Sequence, residues 1–216
     1  MCRLLYIKSK NPFPIVEHLQ IFAAIAKNSK EYQGHGWGLA YLQSGKWQHY
    51  KNINPVWKDN LNQFGRTTLM LVHARSAFQD RDIIIENNMP FYDQRYIFIF
   101  NGELHGVKIR ADGRIGAEKV FNFIQRLDHG DMTEAIIKGV DIIEKRSSYI
   151  RAMNIIIADR QAVYVSSFFN EDEDYFNMYY KKTKDALIIC SEKYPGQQDA
   201  QQDWLAIKNR SVKVYR

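Results

Sequence analysis

The chain has only two cysteines and five prolines in 216 residues, and it has no long apolar run. Two cysteines, Cys2 and Cys190, exclude a disulfide framework. Cys190 closes the apolar run Leu187-Ile188-Ile189-Cys190 and reads as a buried, inert thiol. This usage fits a reducing cytoplasm. The basic residues near the start, Arg3 and Lys8, are not followed by an apolar stretch, so neither a signal peptide nor a membrane span is expected. No linker rich in Gly, Ser or Pro interrupts the sequence and no repeat is visible, so residues 1–216 read as a single domain able to bury a sizeable core. The six histidines lack ligand spacing, and zinc-finger, Walker-loop and RNA-recognition patterns are missing. No metal and no cofactor are expected. The net charge of +6 is scattered, with Lys181-Lys182 the only tight basic pair outside mixed-charge stretches, so no nucleic-acid partner is expected either.

The second residue carries the first chemical signal. Cysteine is small enough to permit removal of the initiator methionine, and Cys2 would then hold a thiol and a free amine on one residue. An α-amine with a reference pKa of about 7.7–8.0 accepts a proton near neutrality. A thiol at about 8.5 needs such a base, because the thiolate is the nucleophile. Nucleophile and base would be one residue, as in threonine hydrolases that use their own amine. Alone, the dipeptide reads more readily as a position tolerant of any small residue.

Residues 2–8 read as a short buried strand. Pro12 and Pro14 then open a helix with Ile15, Leu19, Phe22 and Ala26 at helical spacing. In Gln33-Gly34-His35-Gly36-Trp37-Gly38, three glycines in five positions indicate close backbone approach before a hairpin through Gly45. His35 there reads as a turn residue. The apolar strand 67–73 ends in His73-Ala74-Arg75-Ser76-Ala77. The planar fork of Arg75 suits a carboxylate ligand, although this segment alone favours a structural ion pair. A second apolar strand, 95–100, is expected to stop at Asn101-Gly102-Glu103-Leu104. That pair reads either as a tight turn or as two converging donors for an oxyanion. Helices follow with Val120, Phe121, Ile124 and Leu127, then Met132, Ala135, Ile136, Val140 and Ile143, each on one face. Strands are expected at 153–158, 162–168, 175–180, 186–191 and 211–215. Strands, a helix pair and strands again indicate an α+β layered fold.

In this order, Met1-Cys2-Arg3-Leu4-Leu5, Gly36-Trp37-Gly38, His73-Ala74-Arg75-Ser76-Ala77, Asn88-Met89-Pro90-Phe91, Asn101-Gly102-Glu103-Leu104, Glu118 and Ser191-Glu192 resemble the motifs of class II glutamine amidotransferases, in their short stand-alone branch. The resemblance implies an N-terminal nucleophile hydrolase fold, a four-layer α/β/β/α sandwich with two antiparallel sheets between helix layers. It implies an enzyme whose Cys2 attacks a side-chain amide to give a thioester and ammonia, with water then releasing the acid. Asn101 and Gly102 match the oxyanion-hole pair, and Arg75 the arginine for the substrate α-carboxylate. His73, Trp37, Gly38, Ser76 and Glu118 fall at substrate-pocket positions. The implied partners are a small-molecule amide, glutamine or a γ-glutamyl compound, and a separate ammonia-accepting enzyme. A homodimer is compatible with the pattern.

The departures bear on substrate. Gly116 stands where the family's amine-binding aspartate is usual, and Asp112 is the nearest replacement in sequence. Losing one member of a buried charge pair costs about 2–5 kcal/mol, roughly one and a half to three and a half decades of affinity. His35, Met89 and Phe100 also replace residues common in the family. These changes favour a substrate whose amine is blocked or absent. They also define the alternative, a catalytically altered member that binds a small molecule or partner.

Overall fold

Alternation along the first strand sets the layering. The computed structural model describes residues 1–195 and 204–216. In β1 (Arg3–Pro14) Leu4 and Tyr6 enter one core while Leu5 and Ile7 enter another, as side chains on a strand point to opposite faces. The second core is closed by α1 (Ile15–Lys27), whose Ile15, Leu19, Phe22 and Ala26 are buried as the periodicity predicts. The first strand is longer than expected, because Lys10 to Pro14 continue extended and re-pair with β4 (Arg66–Ala74) after a register shift. Chain order then gives the hairpin of β2 (Trp37–Gln43) and β3 (Lys46–Asn52).

The remaining elements are β5 (Phe91–Tyr92), β6 (Ile97–His105), α2 (Gly116–Gln125), α3 (Met132–Lys145), β7 (Tyr149–Ala158), β8 (Val163–Ser167), α4 (Glu173–Phe176), β9 (Met178–Lys182), β10 (Ala186–Cys190), β11 (Leu205–Ile207) and β12 (Ser211–Tyr215). Two antiparallel sheets result, β11-β9-β10-β1-β4-β2-β3 and β12-β8-β7-β6-β5. β6 packs against β1 and β4, so the sheets face each other, with α1 outside the larger and α2 and α3 outside the smaller. This is the expected four-layer α/β/β/α sandwich. Asp131 starts α3 by accepting the Thr133 and Glu134 N–H groups at 2.9 and 3.1 Å.

Two expectations are corrected. β6 does not stop at Asn101; it runs on to His105, because Asn101 and Gly102 still pair with Asn154 and Met153 of β7. The expected strand 175–180 begins instead as the short helix α4, with Asp172 at φ 55° turning the chain into it. β5 and β11, two and three residues long, carry no sequence signal of their own.

Gly38 explains how β2 meets the Asn88-Met89-Pro90-Phe91 segment. A Cβ at Gly38 would fall inside contact distance of the Met89 carbonyl oxygen. Gly38→Ala should therefore destabilise the fold by about 1–3 kcal/mol through overpacking. The check is a lower urea midpoint at unchanged m-value.

Candidate active site

The register of β1 on β4 places the cysteine. Arg3 lies opposite Ala74 and Leu4 opposite His73, so the residue before β1 meets the segment after β4. There the Ser76 N–H donates to Cys2 Sγ at 3.4 Å, and the thiol faces the Ser76 carbonyl at 3.7 Å. Two contacts from the residues just after β10, on the other edge of β1, hold that strand in place. Ser191 Oγ accepts the Leu4 N–H at 2.9 Å, and Glu192 pairs with buried Arg3 at 2.7 Å. Burial pushes the Cys2 thiol up, against the pull of the N-terminal ammonium, the Ser76 amide and Arg75. With Met1 in place the surroundings thus favour the neutral thiol.

Cys2 opens into a cavity of about 860 Å³. Arg75, Ser76 and Gly102 share its wall with Cys2, together with Phe100 and Gly116. Arg75 is buried and donates from Nη1 to the Asp82 carbonyl at 2.9 Å. Among the described residues no carboxylate forms an ion pair with it. Gly102 is required sterically, since a Cβ there would strike the Phe100 ring and the Ala152 carbonyl. Phe98 stacks on Phe121 of α2, so alternation turns Ile97, Ile99 and Asn101 toward the other sheet. Asn101 is fully buried, and neither atom of its side-chain amide has a partner.

Asn101 and the other expected site residues stand outside the cavity wall. Trp37 packs into the α1 core and donates from Nε1 to Asp59 Oδ2 at 2.9 Å. Gly38 serves the Met89 approach described above. Glu118 grips Arg114, through Nη2 at 2.7 Å and Nε at 3.0 Å, and so orders a residue that does line the cavity. His73 is fully buried, with its ring in reach of the Phe100 backbone. Asp112 is corrected as a replacement for the family aspartate, because it lines a separate depression with Asp93, Arg110 and Arg126. The acids on the Cys2 cavity are Glu31, Asp82 and Glu103. His35 is a turn residue that accepts the Ala77 N–H at Nδ1, 2.9 Å, and so ties down the loop after β4.

Sequence reasoning missed the residues around the N-terminus. The Met1 ammonium pairs with Glu31, whose other oxygen meets Arg151 at 2.8 Å. The Met1 carbonyl accepts from Gln33 Nε2 and from the Tyr175 hydroxyl at 3.1 Å, and Gln33 Oε1 is buried without a partner. Arg151 also faces Glu103, Glu171 and Asp172, each at 3.4 Å. Arg151 and Tyr175 are more than a hundred residues from Cys2 in sequence, and only the fold joins them.

No family model matches the chain, and no curated protein is similar to it in sequence. Solved structures are similar in fold. A glutamine aminotransferase class-II domain protein from Silicibacter pomeroyi superposes with a TM-score of 0.66 at 15% identity, covering 99% of this chain and 94% of that one. A predicted glutamine amidotransferase from Pseudomonas aeruginosa gives 0.62 at 14%, covering 99% and 97%. The glutamine phosphoribosylpyrophosphate amidotransferase of B. subtilis gives 0.66 at 13%, covering all of this chain and 49% of that one. The chain thus has the class II glutamine amidotransferase fold that its motifs resemble. Among the described residues no helix is long and apolar enough to cross a membrane, and no cluster of His, Cys, Asp and Glu is placed to hold a metal ion.

Burial, reinforced by the Arg75 charge, lowers His73 to about 3. The unfolded chain binds a proton there near pH 6.5 while the native one does not, so stability falls as pH drops from about 6.5 toward 3. The expected slope is about 1.4 kcal/mol per pH unit, and His73→Gln should remove it in urea titrations run across that range.

Proposed function

We propose that this chain is an amidohydrolase that works once Met1 has been removed. Cys2 is the nucleophile and its freed α-amine the base. The amine takes the thiol proton, and the thiolate adds to a side-chain amide carbonyl, of glutamine or a γ-glutamyl amide. The Asn101 amide and the Gly102 N–H receive the oxyanion. Collapse breaks the C–N bond, the amine returns the proton to the leaving nitrogen, and a thioester remains. Water then adds to the thioester and releases the acid and the thiol. Arg75 holds the substrate carboxylate through its planar fork. Ammonia so formed passes to solvent or to a separate acceptor enzyme.

One observation carries this reading: Cys2, Arg75 and Gly102, distant in sequence, converge on one cavity. The partnerless Asn101 amide supports it, since buried polar groups are ordinarily satisfied. Gly116 lines the cavity where the family carries its aspartate, which favours a substrate with its α-amine blocked or absent.

A second reading, a binding protein without turnover, is favoured by the Phe100 ring against Gly102 and by the Met1 ammonium on Glu31. Steady-state assay of a Cys2-first protein on glutamine and γ-glutamyl amides separates the two. Turnover should vanish in Cys2→Ser, and Arg75→Ala should raise KM by roughly one and a half to three and a half decades. Ligand binding with no turnover, equal in wild type and Cys2→Ser, would establish the second reading.

A further inference from the structure

Met1 is packed as a ligand would be. Its side chain is buried against Ala152, Phe169, Tyr175 and Phe176. Its ammonium rests on Glu31, and the residue itself lines the cavity that holds Cys2. An ordinary frayed terminus has none of these features.

From this geometry we infer that the Met1 slot is the subsite for the leaving amine, and that this amine is primary with a linear apolar chain. The inference rests on the function proposed above. In that reaction the Cys2 α-amine must hand its proton to the leaving nitrogen as the C–N bond breaks. The leaving nitrogen therefore lies beside the Cys2 α-nitrogen, the atom to which Met1 is joined. Arg75 fixes the acyl part of the substrate by its carboxylate, on the cavity side of the thiol. The departing part projects into the volume that Met1 occupies before processing. The walls of that volume are apolar and accept an unbranched thioether chain, so they suit methylenes. The Met1 ammonium, three bonds from the Cys2 nitrogen, rests on Glu31, so a carboxylate that accepts a primary ammonium lies one short step along the path by which a released alkylammonium would leave. The substrate class is thus a γ-glutamyl-type amide of an n-alkylamine, rather than glutamine itself.

The test uses the full chain with Cys2 first, released from a ubiquitin-like fusion, beside the same chain retaining Met1. Titration calorimetry with n-butylamine should give saturable binding to the Cys2-first chain alone, weakening about fourfold for each methylene removed toward methylamine. For the γ-glutamyl amides of ammonia, methylamine, n-propylamine and n-butylamine, kcat/KM should rise by about the same factor per methylene. Binding with no turnover of any amide would overturn the proposed function and leave the subsite standing. Absent n-butylamine binding, equal binding to both chains, or a kcat/KM series that is flat or falls with chain length would overturn the subsite.

Discussion

The pairing of β1 with β4 is the constraint on which the site depends. Arg3 opposite Ala74 and Leu4 opposite His73 leave Cys2 against the Ser76 amide, one residue beyond Arg75. A slip of one residue would send Leu4 and Tyr6 to the α1 side and Leu5 and Ile7 between the sheets. Both cores would be lost along with the position of Cys2. The fold thus fixes the thiol with the same contacts that fill its interior. Ser191 and Glu192 add a polar lock on the other edge of β1.

Around that fixed point the charges are organised by a single arginine. Arg151 is shared by Glu31, Glu103, Glu171 and Asp172, and the N-terminal ammonium completes the group at Glu31. Two of these acids, Glu31 and Glu103, also line the Cys2 cavity. Their setting pulls Glu31 below its ordinary range through the N-terminal ammonium and Arg151, against the opposing effect of burial. The same cavity is also lined by the basic side chains of Arg75, Arg81, Arg114 and Lys119.

Much of this was legible in the sequence where periodicity and local chemistry agree. The α1 stripe, the Gly45 hairpin, the α2–α3 pair and most strands follow from side-chain spacing alone. The course of β6 through Asn101-Gly102 was not legible, because turn chemistry in that dipeptide is overridden by pairing with β7. Trp37 and Gly38 sit in a motif that the resemblance assigns to the pocket. Their side of the sheet and the Met89 approach give them packing roles that only tertiary contact reveals. Glu31, Gln33 and Tyr175 carry no local mark, since their significance comes from the placement of Met1.

The proposed chemistry requires Cys2 to become the N-terminal residue and its thiol to react with an electrophile. Its most direct test is intact mass spectrometry of the chain purified from its own host, before and after exposure to diazo-oxo-norleucine. The expected result is a chain without Met1 that gains a single adduct, on Cys2 and not on buried Cys190. A chain that retains Met1 and leaves Cys2 unmodified would contradict it.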